Sequence, residues 1–194
     1  MTDTRTIVER IRDAVARAEK AGATLPNAMT LATVGAQGQP SARVVLLKAI
    51  DERGLVFYTN LGSRKAVELA GEPRAALCFW WGALEEQIRV EGEVTRVSDA
   101  EADAYFATRL RGSQLGAWAS RQSHPVASRE ALLESFRRYE FEFEGRDVTR
   151  PPFWSGYRLS PARVEFWYGR KDRLHDRVEF VKEAAGWREQ LLQP

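Results

Sequence analysis

Between residues 29 and 97 the chain repeats one pattern: a short run of β-branched, aromatic and aliphatic residues, a turn, and another such run. The runs are Met29 to Val34, Ala42 to Ile50, Leu55 to Thr59, Ala75 to Trp81 and Gln87 to Val97, with turns such as Ala36-Gln37-Gly38-Gln39 and Asp51-Glu52-Arg53-Gly54. Connections this short join antiparallel neighbours, because a parallel return needs a crossover of a dozen or more residues. An open antiparallel sheet of this many strands leaves edges free to pair with other chains, so the pattern predicts closure into a barrel or sandwich.

Helical periodicity appears only outside that block. Ile7, Val8, Ile11, Val15 and Ala18 predict an amphipathic opening helix that ends near Gly22. Ser98-Asp99-Ala100-Glu101 is a capping-box pattern that opens a helix through Tyr105 and Thr108; a second helix is expected over Ser113 to Ala119, and Ser128 caps a third carrying Leu132, Leu133 and Phe136. After Pro151-Pro152, strand character returns over Trp154 to Trp167 and Val178 to Lys182. No repeat or low-complexity linker divides the 194 residues. They read as one domain, mainly β with α additions: an N-terminal helix over 1–22, first barrel strands over 27–97, a helical region over 98–145 and C-terminal strands over 153–194.

Composition excludes several function classes. A formal charge of +2 is too small for a nucleic-acid tracking surface, so dense arginines point to small anionic ligands. No apolar run approaches the ~20 residues of a membrane span, and the polar, charged N-terminus does not resemble a secretory signal; the expected compartment is the cytoplasm. Cys78 has no partner for a disulfide and is expected to be a small buried core residue. His124 and His175, the two histidines, lack metal-ligand spacing. Core packing is the expectation for Trp80 and Trp81, although neighbours on a strand point to opposite faces.

The chemistry-bearing residues fall in a few clusters. Arg43-Val44-Val45-Leu46-Leu47-Lys48 and Phe57-Tyr58-Thr59-Asn60-Leu61-Gly62-Ser63-Arg64-Lys65 read as strands with basic ends, the second passing into a helix with Ser63 as N-cap. Free N–H groups at a helix start, together with Arg and Lys, outline a phosphate site; an ordinary basic surface turn has the same composition. Arg109 and Arg111 precede Ser113-Gln114-Leu115-Gly116-Ala117-Trp118, which fits either a ligand site or a capped surface helix. If Arg173-Leu174-His175-Asp176-Arg177 is extended, Arg173, His175 and Arg177 share one face, as a site for an anion or electron-rich ring or as a solvated charged strand.

Taken together, these motifs, with Pro152-Phe153-Trp154 and Glu165-Phe166-Trp167, resemble in their order those of the pyridoxamine (pyridoxine) 5′-phosphate oxidases from about Asn27 to the C-terminus. The resemblance implies an FMN-binding split antiparallel β-barrel that works as a homodimer with flavin at the subunit interface. It assigns Arg43, Thr59, Arg64 and Lys65 to the FMN phosphate, with Gln122 and Ser123 from the partner chain. It puts Val44, Val45, Leu46, Leu47, Lys48 and Tyr58 along the flavin pocket, and Gln87, Trp167 and Arg177 against the isoalloxazine and ribityl regions. Lys48, Tyr105, Arg109 and Ser113 match the substrate-phosphate cluster, while Arg173 and His175, the catalytic pair, match residues lying against the substrate's pyridine ring. The implied reaction moves a hydride equivalent from substrate C4′ to the flavin, and dioxygen reoxidises it with release of hydrogen peroxide. The alcohol gives pyridoxal 5′-phosphate directly; the amine gives an imine that water hydrolyses, releasing ammonia.

Three departures stand out against that pattern. The first strand arrives too soon to include a clear match to the family's N-terminal arm, Leu191 stands where an Arg is usual, and Leu110 and Gly112 replace frequent Pro and Asp. Two other classes share parts of the motif set: a phenazine-type oxidase, which would not keep the substrate-phosphate cluster, and a non-enzymatic flavin-binding protein, which would not need Arg173 and His175. Use of a deazaflavin in place of FMN is a further variant of the same barrel.

Overall fold

The computed structural model describes residues 3–194. Helix α1 (Thr4–Lys20) starts where the Asp3 carboxylate accepts the Thr6 N–H at 2.8 Å, and it buries Ile7, Val8, Ile11, Ala14 and Ala18 on one face. Nine strands follow in a single antiparallel sheet: β1 (Ala28–Val34), β2 (Pro40–Leu46), β3 (Ala49–Asp51), β4 (Gly54–Asn60), β5 (Arg74–Trp81), β6 (Glu86–Arg96), β7 (Trp154–Tyr168), β8 (Asp176–Glu183) and β9 (Gly186–Leu191). Helix α2 (Arg64–Gly71) follows β4, and α3 (Asp99–Ala107), α4 (Arg111–Ala119) and α5 (Arg129–Glu142) lie between β6 and β7.

The strand order β2-β1-β5-β6-β7-β4-β3 is built around β7. Its first half, Trp154 to Leu159, pairs with β4, and its second half, Arg163 to Tyr168, pairs with β8, while β6 runs beside both. One strand therefore changes partner along its length, and the barrel splits there. The register shifts at Glu91/Gly92, opposite Pro161. A Cβ on Gly92 would stand 2.0 Å from the Ser160 carbonyl oxygen, so only glycine allows that approach. The roll is completed on the other side, where the Lys48 N–H donates to the Val56 carbonyl at 2.9 Å. Leu31, Leu55, Phe57, Leu77, Phe79, Ile88, Val90, Leu159, Val164, Phe166 and Phe180 fill the interior under α1. Truncating such a side chain to alanine costs about 2–5 kcal/mol.

Several expectations are corrected. Ala42 to Ile50 is two strands, because at Leu47 the backbone leaves β1: Leu47 N–H donates to Asn27 O at 2.9 Å and Lys48 turns to β4. The hairpin strand β9 carries no apolar alternation beyond Trp187 and Leu191, which is why the sequence pattern passes over it. Trp81 is core, its indole N–H donating to Pro26 O at 2.9 Å, but Trp80 on the opposite face is 55% exposed. Cys78 shares the Trp80 face and is only half-buried; burial pushes its thiol up, which keeps it protonated and a poor nucleophile. Ser98 does cap α3, accepting the Glu101 N–H at 3.2 Å. Among the described residues no helix is long and apolar enough to cross a membrane.

Candidate active site

The turn from β4 into α2 brings a set of cations inward. Ser63 has the extended backbone of an N-cap, but its hydroxyl makes no cap bond; it lies 3.3 Å from Lys65 Nζ instead. Lys65 is 8% exposed, and its ammonium donates to Thr59 Oγ1 at 3.2 Å and Gln122 Oε1 at 3.2 Å as well. All three partners are neutral oxygens. Burial, and then the neighbouring Arg43, lower the Lys65 pKa, which is the signature of a buried cation short of an anion. Arg43 reaches from β2 to Leu31 O, Thr33 Oγ1, Ser41 Oγ and Glu68 Oε2, and Arg64 donates Nε to Glu68 Oε1 at 2.8 Å. Arg43, Thr59, Arg64 and Lys65 therefore form one cup, as the sequence expects.

Gln122 belongs to the same cup on the same chain. Its side-chain oxygen accepts the Thr59 hydroxyl at 2.8 Å. Ser123 follows at φ 71 in an exposed turn. A cavity of about 490 Å³ opens beside the cup, lined by Val44, Val45, Leu46, Lys48, Tyr58, Tyr105, Arg109, Leu110, Ser113, Gln122 and Trp154. Of the Val44 to Lys48 run, Leu47 is the exception: its side chain is buried in the core at the strand break.

Aromatic stacking shapes the cavity wall. Tyr58 lies 4.0 Å from Tyr105 and 5.2 Å from Trp154, centroid to centroid, with planes within 15°. Gly156 makes room for it, since a Cβ there would stand 2.6 Å from the Tyr58 ring. Arg109 sits over Trp154, its guanidinium carbon 4.8 Å from the ring centroid, and its buried Nη1 has no hydrogen-bond partner. Burial lowers the Arg109 pKa, and no carboxylate answers it. A half-buried guanidinium with an unpartnered inner nitrogen, at a cavity lined by Lys48, Tyr105 and Ser113, suits an anionic group of a ligand.

The remaining predicted residues lie elsewhere. Gln87, Trp167 and Arg177 form a row across β6, β7 and β8 by direct register. Trp167 lies twelve residues beyond Ser155, the β7 partner of Thr59, and thus about 40 Å further along the strand. Arg177 is held by Glu165, which accepts Nε at 2.8 Å and Nη2 at 3.2 Å and also receives Arg89. His175 and Arg177 line a separate cavity of about 360 Å³ with Tyr168, Arg170 and Leu191. The extended reading of 173 to 177 fails at its start: Lys171–Arg173 is a 3-10 turn, with Asp172 at φ 57 and Arg173 at φ 61. Arg173 is exposed there, while the His175 ring packs 4.5 Å from that of Trp167. His175 Nδ1 accepts the Arg170 N–H at 3.1 Å, so in the neutral ring the proton is on Nε2. The groups missed from sequence are Glu68 and Glu165, whose partners lie on other strands; their only signal was proximity to the motifs.

A half-open antiparallel barrel that divides at one long strand defines a split β-barrel protein. Residues 16–143 match the family model described as pyridoxamine 5′-phosphate oxidase, and residues 154–194 match the pyridoxine 5′-phosphate oxidase C-terminal dimerisation region. The chain is 61% identical over 175 residues to a pyridoxine/pyridoxamine 5′-phosphate oxidase of Rubrobacter xylanophilus, covering 90% of this chain and 81% of the relative. It is 56% identical over 187 residues to one of Myxococcus xanthus, covering 96% and 91%. Its fold is similar to that of PhzG from Burkholderia lata 383, solved with tetrahydrophenazine-1-carboxylic acid, at TM-score 0.91 and 32% identity over 96% of this chain and 92% of the other. The chain belongs to the pyridoxamine 5′-phosphate oxidase family.

Proposed function

We propose that this protein oxidises pyridoxamine 5′-phosphate or pyridoxine 5′-phosphate to pyridoxal 5′-phosphate, with FMN as cofactor and dioxygen as electron acceptor, and that it works as a homodimer. The observation that carries the reading is the cavity where half-buried Arg109, its inner Nη1 without a partner, meets Lys48, Tyr105 and Ser113 beside the basic cup. Two anion sites next to one another suit two phosphorylated molecules, a cofactor and a substrate. The cup fits a flavin phosphate by its donor set, since Lys65 is buried among neutral oxygens and lacks a counter-ion. Names of relatives at 56% and 61% identity support the same activity.

When bound, FMN would supply the two-electron redox chemistry between C4′ of the substrate and dioxygen, the oxidant, which leaves as hydrogen peroxide. The protein's own part is to bind, orient and exclude water. Lys48 and Arg109 would hold the substrate phosphate by charge, with hydroxyls of Tyr105 and Ser113 as donors. Tyr58, stacked on Tyr105, gives the cavity a rigid wall and keeps its hydroxyl protonated, since burial raises its pKa. From a second copy, His175 would offer Nε2–H as a donor, and Arg173 a permanent positive charge, to the ring of the substrate.

Within one chain His175 and Arg177 line a different cavity from the one beside the cup, with Trp167 and Gln87 in register beside Arg177. A second copy would bring that wall to the flavin, which the match of residues 154–194 to a dimerisation region supports. A phenazine-type reading is less well supported: the acid bound by PhzG is named without a phosphate, and the Lys48, Tyr105, Arg109 and Ser113 cluster would then have no partner. The test adds each B6 phosphate to FMN-loaded protein under air and follows aldehyde and peroxide together. Turnover with both products is expected; tightly bound flavin without turnover on either substrate would move the activity to another ligand.

A further inference from the structure

One buried charge in the cup has no part in that account. Glu68 is 7% exposed, and a carboxylate next to a phosphate site should repel the ligand. Its contacts give the reason for its place. Oε2 accepts from Thr33 Oγ1 at 2.5 Å, Ser41 Oγ at 2.6 Å and Arg43 Nη2 at 2.9 Å, while Oε1 accepts Arg64 Nε at 2.8 Å. One carboxylate thus ties two strands to the first turn of α2 and touches both arginines of the cup. Burial works to raise the Glu68 carboxyl, but the hydrogen bonds from Ser41, Thr33, Arg64 and Arg43 bring it down to about 2, so it is ionised at any working pH.

The orientation of Arg64 is the informative detail. Its side chain is 62% exposed and would sample many rotamers on its own. Glu68 takes the inward Nε, and neither Nη1 nor Nη2 has a protein partner among the described residues. The forked end of the guanidinium is left pointing away from the carboxylate that holds it. Three cations and one carboxylate also leave the cup at a net charge of +2, matching a phosphate dianion.

We propose that Glu68 is a positioning residue for the flavin phosphate: without touching the ligand, it aims the free fork of Arg64 from beneath and fixes the Arg43 charge beside it. The inference rests on the cup being the flavin phosphate site. Charge and position predict opposite signs, which makes it testable. Replacing Glu68 by Gln makes the cup more positive and, on charge alone, tightens a dianion; if Glu68 positions the arginines, the same change loosens it.

The experiment titrates the full flavin-free chain with FMN and with riboflavin, which lacks the phosphate, in wild type, Glu68→Gln, Ser41→Ala and Lys65→Ala. For Glu68→Gln, FMN affinity is expected to fall about tenfold, the loss of one charge-assisted hydrogen bond, with riboflavin affinity unchanged. Ser41→Ala, which takes one hydroxyl from the carboxylate without altering charge, is expected to move FMN in the same direction by a few fold and covers the case of a poorly folding Glu68 variant. Unchanged or tighter FMN binding in these variants, or an equal loss for riboflavin, overturns the role of Glu68. If Lys65→Ala retains the wild-type preference for FMN over riboflavin, the phosphate assignment of the cup itself fails.

Discussion

The cup around Lys65 and the turn around Arg173 are both basic, but they are built in opposite ways. In the cup, Lys65 and Glu68 are buried, Arg43 spends both Nη groups inside the protein, and the partners come from β1, β2, β4 and α2. In the turn, Lys171, Asp172 and Arg173 are all exposed, two of them in left-handed backbone, and the nearest fixed point is the pairing of Arg170 with Asp176. A permanently bound group rewards a preorganised site whose entropy was lost on folding. A transient substrate is better served by side chains that order only when it arrives. The contrast suits a resident cofactor phosphate on one side and a passing ring on the other.

The largest effect that would break this comparison is in flavin retention. Lys65→Ala should weaken FMN binding by about 2–3 kcal/mol, roughly 30- to 150-fold, because a buried charge-assisted contact is lost. Arg173→Ala should keep FMN and lower turnover. Flavin titration beside steady-state rates separates the two, and equal flavin loss in both variants would erase the division.

Acid titration sharpens the comparison at the next level. With its folded pKa of about 2 below the usual carboxylate value of 4.5, Glu68 contributes stability that is fully present above pH 4.5 and is lost as pH falls toward 2. Discounted for solvent screening, the contribution is about 1–2 kcal/mol. The difference in unfolding free energy between wild type and Glu68→Gln should therefore shrink over that window in urea melts; a pH-independent difference would mean the carboxylate is not ionised by its partners. The smallest effect belongs to the turn: Arg170→Ala removes an exposed pair with Asp176 and should change stability by less than about 1 kcal/mol, read from the melting temperature.

Legibility in the sequence follows the same divide. The cup was readable because its cations sit within one strand-turn-helix step, where local spacing decides geometry: Thr59, Arg64 and Lys65 converge without help from distant folding. Ser98 and Ser128 announced their helices for the same reason. What local pattern did not reveal depended on remote partners. The break at Leu47 needs Asn27 and Val56, the role of Glu68 needs Thr33 and Ser41, and the left-handed turn at Asp172 replaces an extended segment that alternation alone favours. Gln122 meets Thr59 and Lys65 from a loop some sixty residues further on, a proximity that the motif order gives and local spacing does not.

The length of β7 sets a thermodynamic condition on loading. The two walls assigned to the flavin stand about 40 Å apart along that one strand, so in the proposed assembly each cofactor rests on parts of two chains. Occupancy and association are then linked by mass action: dilution should release flavin, and saturating flavin should tighten the subunits by the reciprocal factor. Measured cofactor affinity would rise with protein concentration, as though the enzyme were its own co-ligand.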